Sequence, residues 1–123
     1  MRNPRPKNLD LFTIKFPLPA IVSLMHRISG ACLFILIPVI IWGFSESLTV
    51  SGFEKLQDWS GMLTVKLIFW LFFIPFFYHL VAGIRHLLSD IHIGDTLKAG
   101  RITAMLAIII SLLLIVAAGI WIW

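Results

Sequence analysis

The sequence predicts an all-α integral membrane protein, a bundle of three transmembrane helices, and three observations carry that expectation. First, 59% of the 123 residues are hydrophobic and only 13% are charged, whereas soluble domains are about a quarter charged; the mean hydropathy is +0.98. Second, three apolar runs reach the roughly 17 to 25 residues needed to cross a bilayer. Third, the Lys and Arg residues gather on one side of the resulting topology, as short loops retained in the cytoplasm require.

Residues 1–19 form a basic tail that Pro4, Pro6, Pro17 and Pro19 interrupt. Its length before the first apolar run, and the lack of a small-x-small site soon after, argue against a cleaved signal, so the first helix is expected to be retained. Helix I is expected over about residues 20–44, because Ile28 to Phe44 carries no charge. Helix II is expected over about 62–88; from Leu67 to Ile84 its only ionisable group is His79. Helix III is expected over about 102–123, uncharged from Ile102 and ending Trp121-Ile122-Trp123, rings suited to the headgroup level. Connecting segments run over about 45–61 and 87–101, and neither they nor the tail is long enough for a separate soluble domain. The chain is thus one membrane-anchor domain, 1–123.

With the tail and second connection on one side, that side holds Arg2, Arg5, Lys7, Lys15, Arg27, Arg85, Lys98 and Arg101, against Lys55 and Lys66 opposite. The expected N-terminus is cytoplasmic. The net charge of +4 is therefore a topology signal, not a nucleic-acid patch, with contact between the tail and membrane lipid as a secondary role. The single cysteine, Cys32, lies within helix I and has no intrachain partner.

His79 is the most informative residue, since an ionisable group deep in a span is costly and usually functional. It lies about 10 Å along the helix from His86, which marks the cytoplasmic end. At about 100° per residue, Phe72, Pro75, His79, Gly83, His86 and Asp90 fall within about 40° of one line. Gly83 brings no side chain, so a flat macrocycle has room against the backbone there. An imidazole at depth, a cleared surface beside it and a basic group at the rim suit b-type haem. The same pair also fits an interhelical hydrogen bond with a close-packing glycine, and geometry alone leaves both readings open. Helix I opens with Ser23, His26, Arg27 and Gly30 at i, i+3, i+4 and i+7, one face at the same membrane depth. Arg27 there either holds a carbonyl or propionate oxygen or snorkels to headgroups.

No other histidine lies deep in a span, so a bis-histidine haem needs its second ligand from another chain. There is no Gly-rich nucleotide loop, no cysteine cluster for iron and sulfur, and no nucleophile paired with a base. Hydride or substrate chemistry belongs elsewhere. The apolar third helix also lacks the polar pathway of a transporter.

Two segments carry a resemblance. Ser23-Leu24-Met25-His26-Arg27-Ile28-Ser29-Gly30 resembles S-x-x-H-R-x-[ST]-G, and His79 to Asp90 resembles H-x-x-x-G-x-R-H-x-x-x-D, both signatures of the succinate dehydrogenase cytochrome b556 subunit family. Arg5-Pro6 followed by Asn8-Leu9-Asp10-Leu11 is also similar, and Pro75 is a local variation. The resemblance implies an anchor of succinate–ubiquinone oxidoreductase in the bacterial cytoplasmic (inner) membrane, serving the tricarboxylic acid cycle and respiratory electron transport. In that family a flavoprotein with FAD oxidises succinate, an iron–sulfur subunit relays electrons, and two small membrane subunits share haem b and reduce ubiquinone. It implies His79 as axial ligand of the haem iron, and His26, Arg27 and His86 near the haem propionates or the quinone pocket. Ser23 and Arg27 would line the quinone site, and Asp90 would help deliver protons. No dehydrogenase chemistry is expected on this chain alone. The alternative is a haem-free structural anchor of a fumarate reductase-type complex.

Overall fold

The structure, a computed structural model, describes residues 15–94 and 96–123. The expected tail features at Arg2, Pro4, Arg5, Pro6, Lys7 and Asn8 to Leu11 lie outside the described residues. Four helices follow one another: α1 (Leu18–Ser47), α2 (Val50–Ser60), α3 (Leu63–Asp90) and α4 (Leu97–Ile122). Helices α1, α3 and α4 are each long and apolar enough to cross a membrane. The chain is a membrane protein built on three such helices.

Local chemistry sets where each helix starts. Pro17 caps α1 and Pro19 lies in its first turn, where a missing N–H costs nothing because those groups have no intrahelical acceptor. Thr96 starts α4 at Leu97, ahead of the apolar run, by accepting the Ala99 N–H at 3.1 Å. The first connection contains α2, a helix that its lower hydropathy had masked. Thr49 caps it, accepting the Gly52 N–H at 3.1 Å and donating to the Glu46 carbonyl at 3.1 Å. Gly52 is required at this corner because a Cβ would run into the Glu46 carbonyl. In the last turn of α2, Trp59 lies 6.2 Å from Trp42 and under Lys55 Nζ at 4.7 Å, a cation–π contact on a ring of the kind found at membrane interfaces.

Helix α4 packs most extensively on α3. Its buried face is Ala104, Ala107, Ser111, Ile115 and Ala118, spacings of three and four that keep mostly small residues on one side. Ser111 donates back to the Ala107 carbonyl at 2.7 Å. Gly119 leaves room for Trp70, whose Nε1–H donates to the Ile115 carbonyl at 2.9 Å. The small common core, Val22, Ala82 and Ala104 with Leu18, Tyr78 and Ile108 against it, sits where α1 begins, α3 ends and α4 begins. Tyr78 donates to the Val22 carbonyl at 3.1 Å. This end of the bundle positions the histidines.

Elsewhere the helices are bare. Phe34 is 74% exposed, Ile35 72% and Ile120 77%. Water does not tolerate so broad an apolar surface on one small chain, so lipid or another membrane chain is its natural solvent.

Candidate functional site

The site forms where the first turns of α1 meet the second half of α3. His79 projects from α3 into the space left by Gly30 of α1: a Cβ on Gly30 would stand 2.9 Å from Cε1 and 3.3 Å from Nδ1 of His79. His79 Nδ1 lies 3.1 Å from the His26 carbonyl and 3.2 Å from Ser29 Oγ. The Ser29 hydroxyl is already committed, donating to that same carbonyl at 2.7 Å. A carbonyl only accepts, so Nδ1 of His79 carries the hydrogen and donates it. In the neutral ring this tautomer leaves the lone pair on Nε2. Nε2 has no hydrogen-bond partner among the described residues and is not sealed off inside the chain.

The ring of His26 stacks on that of His79, with centroids 4.2 Å apart and planes 9° from parallel. It approaches His86 on its other side, centroids 5.0 Å apart and tilted by 54°. Three imidazoles therefore form a row along the α1–α3 seam. They do not converge on a point: among the described residues no three His, Cys, Asp or Glu side chains are arranged to hold a metal ion. The surface over Gly83, expected from the sequence to be open for a macrocycle, is instead covered by His26, whose Nε2 would stand 3.2 Å from a Cβ there. The reason is tertiary: α1 packs close enough to fill the notch.

The remaining candidates are near but not joined to this row. Ser23 is half-buried one turn before Arg27, which is exposed. Asp90 is exposed as the last residue of α3, one turn beyond His86. Arg85 and His86, adjacent in the signature, part company. His86 faces α1, while Arg85 turns to α4, donating to Thr103 Oγ1 at 3.2 Å and to the Gly100 carbonyl at 3.4 Å. A cleft of about 480 Å3 beside Arg85, lined also by Ile84, Leu88, Arg101 and Leu106, includes none of the three histidines.

Sequence reasoning missed Ser29 and Tyr78. Ser29 lies inside the first signature and Tyr78 immediately before the second, and the signal that points to them is their position: Ser29 is three residues after His26 on α1, and Tyr78 precedes His79 on α3.

A family model described as succinate dehydrogenase/fumarate reductase transmembrane subunit matches residues 1–118. The chain belongs to that family. A succinate dehydrogenase cytochrome b556 subunit from Coxiella burnetii is 38% identical over 127 aligned positions, covering all of both chains. Another from Rickettsia bellii is 34% identical over 90% of this chain and 87% of its own. A third, from Paracoccus denitrificans, is 34% identical over 76% and 72%. The row of histidines thus lies in a succinate dehydrogenase/fumarate reductase transmembrane subunit, and both segments that form it fall inside the matched residues.

Proposed function

We propose that the chain is the haem b-binding membrane anchor of a succinate–ubiquinone oxidoreductase. In this role it docks the flavoprotein and iron–sulfur subunits and forms part of the ubiquinone-reduction site. The observation that carries the reading is the hydrogen bond from His79 Nδ1 to the His26 carbonyl. Ligating histidines characteristically donate their second ring nitrogen to a carbonyl or carboxylate, which fixes the tautomer and raises the basicity of the other nitrogen. His79 has this arrangement, which leaves the lone pair on Nε2 for an iron.

In this reading His79 is the axial ligand, and bound haem b supplies a one-electron acceptor and donor within the membrane. His26 stacks face to face with His79 on one side, so the two rings cannot approach one iron from opposite faces. A further ligand to the iron would then have to come from a second small membrane subunit, so that the chain would function only in a complex. His26, Arg27 and His86 are basic or hydrogen-bonding groups suited to the propionates, and Ser23 with Arg27 presents a hydroxyl and a guanidinium to a quinone carbonyl. Asp90, exposed at the end of α3, would help deliver the protons that quinone reduction consumes. This end faces the cytoplasm of a bacterial inner membrane, by the distribution of Lys and Arg.

The test is a reduced-minus-oxidised spectrum of the purified complex. A b-type band is expected in the wild type and its loss or displacement in His79→Leu. A complex that contains all its subunits without such a band belongs to the haem-free, fumarate reductase-type alternative. A band unchanged in His79→Leu removes this residue from the iron.

A further inference from the structure

The end of the bundle opposite the histidine seam carries an element that neither the common core nor the site uses. Helix α2 is tied to α1 through Leu48 and Thr49 and to α3 through Gly61 and Met62. Links of two residues reach about 10 Å at most, so both ends of α2 are held at the level where two spans end. It can neither rise far into water nor sink to the middle of the bilayer.

At about 100° per residue, the surface of α2 divides into three strips. Gly52, buried, with Leu56 and Trp59, half-buried, form the strip against the bundle. Glu54, Asp58, Ser51 and Lys55 make a second strip within about 100° of arc, and all four are exposed. The third strip presents Val50 and Phe53, about 60° apart and 79% and 57% exposed, beside the uncharged Gln57 and Ser60. Charge on one flank of a short helix and apolar side chains on the other call for surroundings that pass from water to hydrocarbon within the width of that helix. The headgroup layer is such a place. Trp59 and Trp42 stand at this level, 6.2 Å apart, with Lys55 Nζ 4.7 Å from the Trp59 ring; amphipathic rings and a snorkelling cation mark the same layer. Water is a poor alternative, since α2 has 11 residues, too few for a helix to persist on its own.

We propose that α2 is an interfacial helix lying in the phospholipid headgroup layer, with Phe53 and Val50 turned toward the acyl chains and Glu54 and Asp58 toward water. The occupant of its free apolar strip is lipid, not another protein chain. This inference stands apart from the haem assignment. Its consequence is one of register. Helices α1 and α3, with 30 and 28 residues, measure about 45 and 42 Å against a hydrocarbon core of about 30 Å. Apolar length alone therefore leaves the bundle free to slide along the membrane normal, and a helix pinned in one headgroup layer fixes the depth at which His79 lies.

The experiment uses the complete complex in its native membrane, with photoreactive p-benzoylphenylalanine placed singly at Phe53, Val50, Glu54 or Asp58. The excited benzophenone inserts into C–H bonds and is left unreacted by water, so mass spectrometry of the illuminated chain reads what each position touches. Phospholipid adducts several-fold more abundant at Phe53 and Val50 than at Glu54 and Asp58 are expected. A crosslink from Phe53 to another subunit overturns the proposal, because protein then covers the strip. Equal lipid adducts at all four positions, or no more at Phe53 and Val50 than at Asp58, overturn it as well, the first by removing the division of the helix and the second by placing the strip in water. If the Phe53 variant does not assemble, Val50 reports the same strip and decides.

Discussion

Among the described residues Arg27 and Ser23 show no side-chain hydrogen bond, whereas His79 bonds the His26 carbonyl and the three imidazoles contact one another, and Arg27 is exposed. An uncommitted guanidinium one turn from a hydroxyl is ready to receive a ligand rather than to brace the fold. A hydrogen bond to a charged group contributes about 1.5 to 3 kcal/mol, so Arg27→Ala should weaken quinone use by about 10- to 100-fold. Ser23→Ala, which removes a neutral bond of about 1 kcal/mol, should cost about fivefold. Steady-state assays of the complex with ubiquinone, set beside succinate oxidation by a soluble artificial acceptor, check both. A parallel fall in the two assays would mean that these residues support assembly and not the quinone. Much of this residue-scale picture was legible in the chain itself, because the depth of His79 and the grouping of Ser23, His26 and Arg27 follow from run length and helical phase. What could not be read is that Gly30 makes room for His79, and Gly83 for His26. That pairing depends on the separation and rotation of two helices, which neither helix encodes alone.

At the scale of elements, α4 is held to α3 by small residues and by side-chain bonds from Trp70 to the Ile115 carbonyl and from Arg85 to Thr103 Oγ1 and the Gly100 carbonyl. Interhelical hydrogen bonds within membrane bundles contribute about 0.6 to 1.7 kcal/mol. Trp70→Phe, which keeps an aromatic ring, should therefore lower thermal stability of the solubilised complex modestly. Gly119→Leu should cost more, since even a Cβ there would stand 2.9 Å from Trp70 Nε1. Differential scanning fluorimetry of the two variants orders them; equal midpoints would mean that the indole packs without its bond. The three long helices were legible because apolar length is enough to identify a span. Helix α2 was not, because its stability comes from a cap at Thr49 and a glycine corner at Gly52 instead of an apolar run.

For the whole molecule, three crossings by α1, α3 and α4 would put the start of α1 and the end of α4 on opposite sides of the membrane, and in the proposed orientation the start of α1 faces the cytoplasm. Alkaline phosphatase joined after Trp123 should therefore be active in cells, and the same enzyme joined in the connection between α3 and α4 should be inactive. The reverse pattern would invert the topology and move the histidine row to the other leaflet. The fold is also thin for its length: few side chains are fully buried, and the broad apolar faces of α1 and α3 remain uncovered.

The parallel stack of His26 and His79 has a consequence for how the complex is made. Both rings lie on one side of whatever they face, so on the proposed assignment a chain synthesised in excess of its membrane partner offers half of a coordination sphere. Haem retained per chain then counts completed complexes rather than translated subunits. A cell that overproduces this chain alone should accumulate apoprotein in its membrane, and the pigment should appear in proportion to the scarcer subunit.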